Sequence, residues 1–309
     1  MFNVDKEGEM KILITGGTGF IGRALIQNLT EQGYDVTVLS RNLDAVEKIG
    51  VPGVKVLNNL DQLKPEDSYQ IIINLAGAPI FDARWSDARK QIIRDSRINL
   101  TKQLVACMAA MTVKPELLIS GSAIGYYGDQ GDAVLTEQST TRTDFSQQLC
   151  VDWENEAKRA GQFDVRVCLI RTGLVLGDGG GLLQRMLQPF KLGLGGRLGN
   201  GQQWMSWIHR EDWIAIALRM ITDLSMQGAY NATAPNPVTN NEFTRALAQG
   251  LKRPALLPVP ACLLKMLLGE MSGLVLGSQR VVPERLLAEG FTFQYTDLSS
   301  ALAEVLSHS

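Results

Sequence analysis

Short apolar runs separated by loop-forming residues recur through the first half of the chain: Lys11–Thr15, then residues 35–40, 54–57, 71–75, 117–120 and 165–170. Runs this short and this continuously apolar fit strands covered on both faces, and several intervals between them carry a helical period. Ile21, Leu25 and Leu29 follow the first run at four-residue spacing and stop near Gly33. Residues 86–111 read as one long helix capped by Ser86, with Leu100, Leu104 and Met108 on one face. Asp144 caps a further helix, over 144–160, that carries Phe145, Leu149 and Trp153. Strands alternating with helices predict an α/β chain on a doubly wound parallel sheet.

Beyond residue 177 the alternation loosens. A glycine-rich stretch precedes a helix over 182–192, Asn200-Gly201 signals a hairpin within 198–208, and an apolar helix spans 213–221. Thr239 and Glu242 form a capping box, residues 261–277 read as packed helix, and the tail from 283 to 306 holds two short helical patterns around Gly290. His209 and Asp212 each read as a cap or loop anchor rather than a catalyst. The predicted organisation is a polar leader over residues 1–9, a sheet domain over 10–235 and a smaller C-terminal helical lobe over 236–309 that contributes to a substrate cleft.

The first strand runs into Gly16, Gly17, Thr18, Gly19, Phe20, Ile21 and Gly22, the turn and first helical residues of a strand–turn–helix–strand unit. Glycine at these spacings lets the chain turn sharply, approach a pyrophosphate and pack helix on strand, and the helix N-terminus points N–H groups at a bound phosphate. The unit predicts an NAD(P)-binding Rossmann fold. Dinucleotide sites for NAD carry an acid about 20 residues beyond the glycines, whereas this strand closes on Ser40 and Arg41. A guanidinium bonds a 2′-phosphate with charge assistance and an acid would repel it, so the expected cofactor is NADP(H).

Two later strand ends carry further candidates. The fourth run ends in Asn74-Leu75-Ala76-Gly77, small residues expected beneath the cofactor, and the fifth opens into Gly121-Ser122 and then Tyr126-Tyr127. A serine and two tyrosines at the mouth of a sheet are a polar cluster where chemistry is expected.

Composition narrows the classes. With 309 residues, 45% hydrophobic and 20% charged, the chain can bury a full core, and a formal net charge of −2 gives no long-range attraction to nucleic acid or an acidic membrane. No apolar run reaches the roughly 20 residues of a membrane span. Cys107, Cys150, Cys168 and Cys262 are far apart without C-x-x-C spacing, which fits reduced core thiols in a cytoplasmic protein. No metal site, nucleic-acid partner or membrane partner is read.

Taken together, the glycine turn, the Asn74–Gly77 loop, Ser122 with Tyr127-Gly128, and Trp207-Ile208-His209 with Asp212 resemble the extended short-chain dehydrogenase/reductases, the epimerase and dehydratase group. Gly125-Tyr126-Tyr127-Gly128, Trp153-Glu154, the stretch over 189–196 and the tail over 283–293 resemble its YfcH-like epimerase-family branch. The resemblance implies that Ser40 and Arg41 hold the 2′-phosphate, Leu75 and Ala76 line the cofactor, Arg97 reaches it and Val175 lies near the nicotinamide end. It also implies a homodimer through the helices over 86–111 and 144–160.

One departure from the pattern bears on function. The group's general acid/base is a tyrosine four residues before a lysine, yet the matching helix has Ser146 and Cys150 at those positions and no Tyr-x-x-x-Lys occurs in the chain. Two functions stay open: an NADP(H)-dependent oxidoreductase or epimerase-like enzyme acting on a small carbonyl or sugar-type substrate through Ser122 and Tyr126 or Tyr127, and a non-catalytic NADPH-sensing protein.

Overall fold

The computed structural model describes residues 10–308; the leader expected over 1–9 lies outside them. In chain order the strands are β1 (Lys11–Thr15), β2 (Asp35–Leu39), β3 (Lys55–Leu57), β4 (Ile71–Asn74), β5 (Leu117–Ala123), β6 (Val134–Leu135), β7 (Arg166–Thr172), β8 (Leu174–Leu176), β9 (Trp204–Met205), β10 (Trp207–His209), β11 (Gly228–Ala232), β12 (Val238–Thr239) and β13 (Arg280–Val281). The α-helices are α1 (Phe20–Glu31), α2 (Leu43–Glu47), α3 (Asp87–Asp95), α4 (Ile98–Ala110), α5 (Phe145–Lys158), α6 (Gly181–Lys191), α7 (Arg210–Thr222), α8 (Asn240–Leu251), α9 (Ala261–Leu268), α10 (Gly273–Leu276), α11 (Glu284–Ala288) and α12 (Leu298–Ser307).

Seven parallel strands form one sheet in the order β11-β7-β5-β4-β1-β2-β3, so the order reverses between β1 and β4. A crevice opens outside the carboxyl ends of strands at such a reversal. Strand residues alternate between two cores. Ile12 and Ile14 face Leu25, Ile26 and Leu29 of α1 with Trp213, Ile216 and Met220 of α7, whereas Leu13, Ile72 and Leu118 face Leu104 and Met108 of α4 with Ala157 of α5. Both faces are covered, which is why the strands read as unbroken apolar runs. A further core joins Leu183, Leu187 and Phe190 of α6 to Phe243 and Leu247 of α8 and to Leu302 and Val305 of α12.

Three expectations are corrected. The single helix expected over 86–111 is two, α3 and α4, interrupted at Ser96 and Arg97. The interruption anchors a loop: Ser96 Oγ accepts from the Ala78 N–H at 2.9 Å, and Arg97 Nη1 donates to the Ala78 carbonyl at 3.1 Å. Asn200-Gly201 makes a turn but no hairpin, because β9 pairs with β12 and Leu198 bridges to Val259. The stretch over 261–277 is not one packed helix: α9 buries Leu264 and leaves Leu263, Met266 and Leu267 exposed, and the chain turns at Gly269, whose φ of +60° suits glycine.

Candidate cofactor and active site

The turn after β1 is built so that only glycine fits. Gly16 has φ +72°, and a Cβ there would sit 2.5 Å from the Leu75 carbonyl carbon; at Gly22 a Cβ would meet the Gly16 carbonyl oxygen at 2.5 Å. The turn therefore lies directly against the loop after β4, with Thr18 at its tip and Phe20 and Ile21 opening α1. The Thr15 hydroxyl ties the two segments, donating to Asn74 Oδ1 at 2.6 Å and accepting from the Ala76 N–H at 3.3 Å. Helix α1 has no side-chain cap and no acidic residue in its first turn. Its leading N–H groups are thus left for a ligand anion, with the positive end of the helix dipole behind them.

Ser40 and Arg41 follow β2 at the same edge of the sheet. The Ser40 hydroxyl bonds the backbone of Asn42, and among the described residues the exposed Arg41 side chain has no hydrogen bond or ion pair. Glycine turn, uncapped helix and unpaired guanidinium fit a dinucleotide carrying a 2′-phosphate. Gly77 closes on Arg97: a Cβ there would lie 2.7 Å from Arg97 Cζ. The Arg97 guanidinium stacks on Trp153 at 5.4 Å, and burial holds its pKa below the usual arginine value. Arg97 thus supports the loop containing Leu75, Ala76 and Gly77. Val175, on β8, is buried beside Gly181.

The end of β5 carries a buried polar chain. Ser122 donates to Glu154 Oε1 at 2.8 Å, and Arg171 grips the same carboxylate with Nε to Oε1 at 2.8 Å and Nη2 to Oε2 at 3.0 Å. Arg171 Nη1 continues to the Tyr127 hydroxyl at 3.0 Å, and Tyr127 donates to Asn231 Oδ1 at 2.6 Å. Burial opposes the charge on Arg171, but the Glu154 bonds outweigh it and raise its pKa. Tyr127 is fully buried, and burial pushes its phenol up to about 12 despite the opposing charge of Arg171. Tyr126 is half-buried, its ring centroid 3.4 Å from the Arg171 guanidinium.

The Ser122 proton points at a carboxylate, so its oxygen has lone pairs left to accept with and no free proton to give. On α5, Ser146 and Cys150 stand below this chain, against Gly125. Burial and then the nearby Glu154 charge push the Cys150 thiol up to about 12, so the thiol stays neutral. His209 caps α7 through Nδ1, accepting from the Glu211 N–H, and Asp212 accepts from the backbone of Gln294 and Tyr295. The sequence leaves cap or anchor open for both; the structure makes His209 the cap and Asp212 the anchor.

Glu154, Arg171, Asn231 and Gln279 escaped sequence reasoning. Glu154 had a signal, lying one and two helical turns beyond Cys150 and Ser146 on one face. Gln279 had none; it donates from the C-terminal segment to the Ile124 and Gly128 carbonyls and closes the tyrosine loop. Between this loop and the C-terminal segments lies a mostly apolar cleft of about 130 Å³, lined by Ile124, Leu174, Met186, Trp204, Met205 and Gln279 among others.

Residues 12–232 match the model of the NAD dependent epimerase/dehydratase family, and residues 259–305 match a domain of unknown function, DUF1731. The chain belongs to the NAD dependent epimerase/dehydratase family. It is similar to the epimerase family protein SDR39U1 homolog, chloroplastic, of Arabidopsis thaliana, at 39% identity over 97% of this chain and 88% of that one. It is also similar to the epimerase family protein YfhF of Bacillus subtilis, at 38% identity over 96% and 98% of the two chains. Among solved structures, the human epimerase family protein SDR39U1 (isoform2) with NADPH superposes at a TM-score of 0.89, with 32% identity over 97% of this chain and 100% of that one. In this family member the seven-stranded parallel sheet is that of NAD(P)-binding epimerases. Among the described residues no helix is long and apolar enough to cross a membrane.

Proposed function

We propose that this chain binds NADP(H) in preference to NAD(H) and acts as an oxidoreductase or epimerase-like enzyme on a small carbonyl or sugar-type substrate in the cleft beside Ile124. The observation that carries the reading is the unpaired Arg41 guanidinium at the end of β2, beside an α1 N-terminus with neither cap nor acid. The human relative, named with NADPH, supports the same cofactor. In this reading the Gly16–Gly22 turn holds the pyrophosphate, Ser40 and Arg41 hold the 2′-phosphate, Leu75, Ala76 and Gly77 line the cofactor over Arg97, and Val175 borders the nicotinamide end. When bound, NADP(H) supplies hydride transfer.

The chain's own residues orient the substrate and move its proton. Ser122 accepts a hydrogen bond from a substrate hydroxyl, because Glu154 takes its own proton. Tyr126 is the proton donor of choice, since Tyr127 is sealed and donates to Asn231. Residues 10–235 form the cofactor domain and 236–308 a lobe closing the cleft. Four unpaired cysteines suit a reducing compartment and support a cytoplasmic location.

The committed proton of Ser122 and the neutral Cys150 favour a second reading, a protein that senses NADPH without turnover. Calorimetric titration tests the cofactor: a charge-assisted bond at an exposed edge is worth roughly 1.5 to 3 kcal/mol, so NADPH should bind about 10- to 100-fold more tightly than NADH and lose that margin in Arg41→Ala. Equal dissociation constants for the two cofactors sink the assignment. NADPH oxidation across a carbonyl panel separates enzyme from sensor.

A further inference from the structure

Outside the dinucleotide site lies a larger groove, about 740 Å³, on the far side of α8. One wall is a helix face presenting Asn241, Thr244, Arg245 and Ala248, at the three- and four-residue spacing that keeps side chains together. The other is formed by Arg197 and by residues 252–258. These strips are fixed together by backbone bonds, Leu257 N–H to the Gly195 carbonyl and Val259 N–H to the Arg197 carbonyl, and Arg253 N–H closes on the Ala248 carbonyl after Lys252 adopts φ +52°.

The lining carries four cations, Arg197, Arg245, Lys252 and Arg253, and no carboxylate. All four are exposed, and among the described residues none of them has an acidic group within 4.0 Å. Holding four like charges around one groove is unfavourable without a counter-charge, in a chain whose formal net charge is −2. The wall also contains Thr244, 6% exposed, whose hydroxyl has no hydrogen-bond partner. Pro254, Ala255 and Pro258 give the same groove apolar surface.

We infer that this groove binds a soluble organic anion carrying adjacent phosphate groups. Three guanidinium groups and an ammonium match the charge of a diphosphate, the apolar wall takes an organic moiety, and the volume lies in the range of small-molecule sites. The site is separate from the cleft beside Ile124, though the two stand back to back: Leu198 and Asn240 line the cleft, and their neighbours Arg197 and Asn241 line the groove.

The test is calorimetric titration of the full chain, its dinucleotide site first filled with one equivalent of NADPH, with inorganic pyrophosphate and, separately, with adenosine diphosphate, at low salt. Wild type should bind both, and Arg245→Glu with Arg253→Glu should weaken binding on the order of 100-fold, two charge-assisted bonds being lost. A control pair, Lys48→Glu with Lys102→Glu, makes the same charge change at exposed positions outside the groove. It should leave the affinity within about threefold, since distant exposed charges are screened. Equal thermal midpoints of the variants establish that the fold is intact. The proposal is overturned if wild type binds neither probe, if the groove pair binds as wild type does, or if the control pair loses as much. It is equally overturned if the groove pair abolishes sedimentation with vesicles of anionic phospholipid while wild type ignores both soluble probes. NADPH affinity, measured on the same variants, should not change, so the cofactor assignment stands or falls separately.

Discussion

Replacing Arg171 with methionine would strip Glu154 of its principal counter-charge. The Arg171 side chain is 4% exposed and the Glu154 side chain 0%, and the carboxylate would keep only the Ser122 hydroxyl and Lys158, whose Nζ is 3.6 Å away at the solvent edge. Removing one partner of a buried ion pair typically costs about 3 to 5 kcal/mol, because the charge left behind is desolvated, and Lys158 pulls the value toward the lower end. For a chain of this length the entropy of unfolding is about 0.65 kcal/mol/K, so Tm should fall by about 5 to 8 °C. Adding Glu154→Gln removes the stranded charge, and the double variant should recover at least half of the loss. Differential scanning calorimetry at pH 7 and guanidinium titration both read this. A Tm drop below about 2 °C, or a double variant no more stable than Arg171→Met alone, would refute the claim that the pair holds the end of β7 against α5.

Once a substrate is in hand, Tyr126→Phe should cost about 10²- to 10⁴-fold in kcat/KM, the usual worth of proton transfer, and Ser122→Ala about 3- to 10-fold, the worth of one orienting hydrogen bond, while Cys150→Ser changes it little; a Cys150→Ser enzyme that binds NADPH but does not turn over would replace this with a thiol mechanism. Thiol labelling at pH 8 should modify the exposed Cys262 first and leave Cys150 and Cys168 unreactive, because burial raises their pKa to about 12 and about 11 and thiolate forms only as pH climbs toward those values; early mass-spectrometric labelling of Cys150 contradicts the buried assignment. A homodimer formed through α3, α4 and α5 should sediment at twice the chain mass, and a monomer mass independent of concentration in analytical ultracentrifugation rules it out.

By itself the sequence determined the layered α/β fold, six of the seven strands of the main sheet, the glycine turn, the Ser40-Arg41 end of β2, and the caps at Asp144 and Thr239. These are local: each follows from the period of apolar residues along one segment, from a φ that only glycine tolerates, or from a side chain reaching its own helix terminus. What only the tertiary structure decided depends on segments far apart in the chain. The helix over 86–111 holds no glycine or proline to stop it, and it breaks where Ser96 and Arg97 bind Ala78, on the loop after β4. Asn200-Gly201 has the composition of a hairpin, but β9 finds its hydrogen-bond partner in β12, more than thirty residues on. The chain Ser122–Glu154–Arg171–Tyr127–Asn231 draws on β5, α5, β7, the tyrosine loop and β11, and its geometry exists only when three parallel strands stand side by side. Tyr126 and Tyr127 are adjacent and alike in sequence; one is half-open and the other sealed because the chain turns between them against α5 and Asn231, a difference set by packing and by no property of either residue.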